Sequence, residues 1–206
     1  MSAAGTFTLS LPSVWWPLGD GTDPIGDVID VLFEHYQPEL EPAEERGLRA
    51  SLAVHAEWAR SLAPGERRSF ALVRDARTAR ADALLSWRFG VAPEGAYEHI
   101  LESAKALRST ETVELVDPSV VETRVPLGRA IVIHDVAYAR TPGIQQPARE
   151  RCIVALFPDG SDALLELNLS TIDLSIWDDL PDYLLRVASG EELPVPGYPE
   201  PMEGTS

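Results

Sequence analysis

Cysteine and lysine each occur once in this 206-residue chain, as Cys152 and Lys105. A lone cysteine excludes an intrachain disulfide. It lies inside the apolar run CIVAL, which predicts a buried, inert thiol, because a nucleophilic thiolate needs an electropositive, partly open setting. Basic residues are scarce altogether: 17 Lys and Arg stand against 33 Asp and Glu, a formal net charge of −16. Nucleic-acid binding depends on Lys and Arg neutralising phosphates, and no basic run offsets the acidity. Arg67-Arg68 and then Arg74, Arg77 and Arg80 are diluted by Glu66, Asp75 and Asp82. Neither a nucleic acid nor an anionic membrane surface is an expected partner.

Long apolar runs are also missing, so no stretch is long enough to span a bilayer. The opening residues, MSAAGTFTLSLPSVWW, have no basic region and no long apolar core, which argues against a secretory leader and for a cytoplasmic protein. The bias to arginine over lysine, with abundant Ala and Pro, points to a GC-rich coding genome.

Motifs of catalysis and metal binding are absent as well. His35, His55, His99 and His134 form neither HxH nor HExxH, and no GxSxG elbow, Gly-rich phosphate loop or CxxC occurs. His134 and Asp135 are strand neighbours, whose side chains leave opposite faces. Asp20, Asp23 and Asp27 in DGTDPIGD lack the alternating spacing and distal Glu of a calcium loop. Asp23 is better placed as a helix N-cap before Pro24. No cofactor, no metal and no catalytic residue is expected.

What is present is periodic. Phe7, Leu9 and Leu11 alternate with Thr8 and Ser10, predicting a half-buried strand stopped by Pro12. SVWWPLGDGTDP then reads as a loop. Ile25, Val28, Ile29, Leu32, Phe33 and Tyr36 recur at helical spacing up to Pro38. A second helix opens near Pro42 and carries Leu48, Leu52, His55, Trp58, Ala59 and Leu62 to a PG stop at 64–65. RRSFALV and ALLSWRFG read as paired strands, and Tyr97, Ile100, Leu101, Ala104 and Leu107 as a third helix. TVELVD, VVETRVP, RAIVIHDVAYA, RCIVALF and ALLELNLS follow as strands. RAIVIHDVAYA and RCIVALF are apolar on both faces and should be central. ALLELNLS puts Leu165, Leu167 and Leu169 on one face, which suits a less buried strand. Pro158-Asp159-Gly160 has the turn chemistry of a hairpin rather than of a reactive loop. Trp177, Leu180, Leu184 and Val187 predict a last helix ending at Gly190, with Pro181 in or near its first turn. From Glu191 the chain is Pro-rich and acidic and reads as an extended or disordered tail unless something ties it down. The domain expected is therefore 1–190, with a tail over 191–206.

Three stretches carry a family resemblance. FTLSLPSVWW resembles the opening of bacterial PsbP-like proteins. VVETRVPLGRAIVIHDV resembles their strand–Gly–strand hairpin, and ERCIVALFPDGSDALLELNLSTIDLSIWDDLPDYLLRVA their closing strand–turn–strand–helix unit. The resemblance covers most of residues 5–190. It implies an α/β/α sandwich: a central, mainly antiparallel sheet with helices on both faces. Its known relatives, a photosystem oxygen-evolving subunit and a Ran-binding (Mog-like) family, are binding proteins without catalytic residues. Actinobacterial versions are largely of unknown function, and this chain lacks the lipoprotein cysteine that some members carry near their start.

The function expected is a non-catalytic protein-interaction module. An acidic surface favours a partner with a basic one. Two other readings are a small-ligand binder or enzyme using a sheet–helix cleft, and an immunity protein or cytosolic chaperone of a secreted effector. Trp15 and Trp16 are candidate partner anchors, since Trp is enriched at interface hot spots, although packing against the sheet or the last helix is the simpler expectation. Arg140, Ile144 and Arg149, in or beside the polar loop 139–150, are further candidates.

Overall fold

The computed structural model describes residues 9–61, 67–141, 144–145, 147–196 and 198. Along the chain run β1 (Trp15–Gly19), α1 (Ile25–Tyr36), α2 (Pro42–Ser61), β2 (Arg68–Leu72), β3 (Ala83–Val91) and α3 (Ala96–Lys105). Then come β4 (Val113–Val125), β5 (Gly128–Thr141), β6 (Ile144–Gln145), β7 (Arg149–Pro158), β8 (Ala163–Thr171) and α4 (Leu180–Ala188). The sheet order is β1-β2-β3-β8-β7-β5-β4, with every neighbouring pair antiparallel, and β6 adds two residues of pairing to β5. Helices cover both faces, so the architecture is the sandwich expected.

Strand alternation sorts the core into two sides. On one side α4 seals Leu72, Leu85, Val132, Val154 and Leu167. The other side carries three helices in two groups. There α1 and α2 pack over Trp16, Ala71 and Leu84 of β1–β3, and α3 packs over Ile131 and Ile133 of β5. Removing that apolar area from water is the main stabilising term, about 1.5–3 kcal/mol for each fully buried Leu or Ile.

Several expectations are corrected. Leu9 and Leu11 lie outside any strand, although both pack against the α4-side core; Phe7 lies outside the described residues. The first strand is instead Trp15–Gly19, inside the expected loop. It forms because Trp15 is buried on one side of the sheet and Trp16 and Leu18 on the other, and Pro17 is tolerated because β1 is an edge strand, where a missing N–H costs no ladder bond. Asp23 does not cap α1: Pro24 holds the cap position with no side-chain bond, and the Asp23 carbonyl accepts from Arg60. TVELVD and VVETRVP are one strand of 13 residues, bulged between Val116 and Ser119. Asp117 absorbs the bulge at φ +48°, a region that Asp visits more readily than most residues. Trp177 precedes α4 rather than joining it; Asp179 caps the helix through the Asp182 N–H at 2.9 Å, with Pro181 in the first turn.

Both hairpin turns reverse the chain. At Gly128, between β4 and β5, an added Cβ would stand 2.1 Å from the Phe157 carbonyl oxygen, so only glycine fits. The Pro158-Asp159-Gly160 turn joins β7 to β8, and Asp159 pairs with Arg124. The first residues after Gly190 do not hang free: Val195 is 1% exposed, and Leu193 and Tyr198 pack on the α4-side core.

Candidate functional site

The two helix groups on the three-helix side leave the middle of the sheet between them. There α2 contacts β2 and β3, and α3 contacts β4 and β5. The strands between are β8 and β7, and here the alternation that points Leu165, Leu167 and Leu169 at α4 points Glu166, Asn168 and Ser170 the other way. ALLELNLS is therefore a central strand and not a marginal one. Its polar face is the floor of a strip framed by α2 and α3.

Cross-strand register extends the strip. Asn168 stands beside Ser86 of β3, and Ser86 beside Ser69 of β2. Glu166 stands beside Arg88, and Ser170 beside Arg151 of β7, which is opposite Asp135 of β5. Arg67, just before β2, reaches Glu166 from the side.

Much of this floor is deeply buried. Ser86 and Ser170 are each 1% exposed and Asp135 is 3% exposed. Burying polar groups is costly unless each finds a partner, so the pairing of each atom matters. Arg151 binds Asp135 through two bonds of 2.8 Å, the forked geometry that suits guanidinium and carboxylate. Glu166 is held by Arg67 and, at 2.9 Å, by Arg88. Burial pushes the Glu166 carboxyl up, but the two arginines outweigh it and hold it below the usual glutamate range. On the strip, four further buried atoms have no hydrogen-bond partner among the described residues: Ser86 Oγ, Asn168 Oδ1, and Nε and Nη1 of Arg67.

Arg149 closes the strip on the α2 side. Its guanidinium lies 5.1 Å from the centre of the Trp58 ring and donates to Ser170 Oγ at 3.2 Å. It has no carboxylate partner among the described residues. Burial, and then the charge on Arg151, pull it below the ordinary arginine value. Nearby, burial also lowers the His55 imidazole, more than its 2.8 Å bond to the Ser51 carbonyl restores. Among the described residues, four arginines (67, 88, 149 and 151) stand against two carboxylates (135 and 166) on the strip, in a chain of net charge −16.

Other polar groups are self-contained. Asp82, 4% exposed, is bound with Asp173 by Arg74 and Arg80, which balances the charge of that cluster. His134 joins Glu150 at 2.8 Å, away from Asp135, as strand alternation requires. Asp20 accepts from Thr22 and so builds a turn. Burial pushes the Cys152 thiol far up, beyond the range of a nucleophile. No group of metal-ligating side chains occurs among the described residues.

The five candidate partner-binding residues do not converge. Trp15 and Trp16 are 3% and 5% exposed, on opposite sides of the sheet, so neither ring is available as an anchor; Trp16 stacks on Tyr36 at 4.3 Å. Arg140 is exposed and reaches Glu114 of β4 at 3.2 Å. Ile144 lies in β6, and its side chain is outside the described residues. Only Arg149 belongs to the strip. Sequence reasoning missed the rest of the strip; the signal for it was the polar half of the ALLELNLS alternation, which marks a buried polar floor once that strand is central.

No family model matches the chain, and no curated protein matches it.

Proposed function

We propose that this chain is a non-catalytic binding module that takes a small polar ligand on the strip between α2 and α3. The observation that carries this is the block of buried atoms at Ser86, Asn168 and Arg67 that have no partner among the described residues. Each such atom costs about 1–3 kcal/mol in a protein with no use for it. A ligand meeting these atoms offsets that cost. Binding rather than turnover is supported by the chemistry of the floor, where the arginines serve as fixed donors and the one thiol is buried and protonated on the far side. The resemblance to PsbP-like and Ran-binding proteins belongs to this proposal, with the antiparallel sheet and its two helix layers as support. So does a cytoplasmic location, which a lone free cysteine suits. Among the described residues no helix is long and apolar enough to cross a membrane.

A metabolite screen by thermal shift on the full chain tests the proposal. Hits should lose their stabilising effect in Ser86→Ala and Asn168→Ala. A screen without hits, or hits indifferent to both substitutions, sinks it.

A protein partner is a second reading, favoured by a different feature. β4 is an outer strand of 13 residues with Val121 52% exposed, a template for strand addition. Partner binding there should survive Ser86→Ala and fail when Val121 becomes Pro.

A further inference from the structure

We infer that the α2 end of the strip is an oxyanion site, in which Arg149 and Arg151 grip a phosphate or carboxylate group of the ligand. The inference deepens the binding proposal and rests on it.

Arg149 and Arg151 are two residues apart on β7 and share a face, which sets their Cα atoms about 7 Å apart. Both are placed at the border of the strip rather than in its floor, since each keeps partial exposure. They repel each other, and Asp135 compensates only Arg151. The cation without a carboxylate among the described residues is held in place by neutral groups. Trp58 supports its face, and Ser170 Oγ takes one N–H, leaving the rest of the fork as donors. Ser170 is buried and pinned in the ladder between β3 and β7, so this arrangement is rigid before any ligand arrives. A fork held over an aromatic ring beside a second guanidinium matches the paired oxygens of phosphate and carboxylate better than a neutral group. The surrounding acidity makes the choice sharper. A chain of net charge −16 repels anions in general, so an anion that binds must do so through local geometry. The charge balance differs at Asp82 and Asp173, where Arg74 and Arg80 each pair with both carboxylates and the cluster is neutral.

The test is a titration of the full-length chain, followed by amide NMR, with three probes at fixed ionic strength: inorganic phosphate, succinate and the neutral succinamide. Saturable shifts in β7 and β8 with phosphate or succinate are expected, and whichever of the two binds more tightly identifies the oxyanion. Arg149→Met should weaken that binding at least tenfold. Arg149→Lys, which keeps the charge but loses the fork, should fall between, and it covers the case in which the methionine variant does not fold. Arg77→Met, on the far-exposed pair with Asp75, should bind as the parent does. Succinamide binding as tightly as succinate overturns the oxyanion site and leaves the binding strip standing. Shifts with no probe, together with an empty metabolite screen, overturn both. Anion binding that is equal in the parent, Arg149→Lys and Arg149→Met overturns the assignment to Arg149.

Discussion

Leu165, Leu167 and Leu169 leave β8 on one side, and Glu166, Asn168 and Ser170 leave it on the other. The leucines are buried to about the same degree as the serine, yet the two sides do opposite things for the fold. Toward α4, close-packed hydrocarbon contributes stability. Toward α2 and α3, buried polar atoms reduce it wherever they lack a partner. A strand that needed only to be central would carry apolar residues on both faces, as the middle of β7 largely does. The difference teaches that the polar half of β8 carries a cost in stability that the leucine half does not.

Substitutions on the two sides should therefore differ in size and in sign. Leu167→Ala, on the α4 side, removes a fully buried side chain and should lower unfolding free energy by about 2–5 kcal/mol in urea denaturation. If it cost under 1 kcal/mol, the α4 side would not be the cohesive half. Arg151→Met leaves the buried Asp135 carboxylate without its fork and should cost about 3 kcal/mol by the same measurement. In the opposite direction, Ser86→Ala removes an unpartnered buried hydroxyl and should raise stability by about 1 kcal/mol while weakening ligand binding. A loss of stability on that change would mean that the hydroxyl is satisfied, and the contrast between the two sides would collapse.

Acid titration sharpens the comparison through two groups on the strip side. His55 is lowered from 6.5 in the folded chain, so its unfolded form binds protons first and stability should decline as pH falls below 6.5. Glu166 is lowered from 4.5, so its contribution is present above 4.5 and is lost as pH falls through its folded value. Denaturation midpoints measured from pH 8 to 3 should show both declines, with the first absent in His55→Gln and the second reduced in Glu166→Gln. The smallest effect expected is that of Arg77→Ala, within about 0.5 kcal/mol, because an exposed pair contributes little.

The amino-acid pattern disclosed most elements because periodicity reports which faces are buried. α2, the β2–β3 pair, the two central strands and the β7–β8 turn all follow from it. It failed at WWPLG, where two adjacent tryptophans read as a loop cluster; alternation is invisible when both faces are apolar and a proline intervenes. It also failed at β8, whose pattern is the same for a half-exposed strand and for a central strand with a buried polar face. Only the neighbours decide, and β3 lies about seventy residues upstream. That is why Arg149 could be singled out from its loop, while Arg67, Ser86 and Asp135 could not be grouped with it.

The last of the described strands along the chain is the one that sits in the middle. β8 joins β3 to β7, so a growing chain holds two incomplete sheets with open edges until residue 171 has left the ribosome. Completing the sheet therefore requires β8 to pair on both edges with strands made earlier, a non-local step, and α4 and Val195, which follow it in the chain, pack on the same core. A chain that stalls before this point exposes two sticky edges at once, and it is at this stage of its life that the molecule most needs a chaperone's protection.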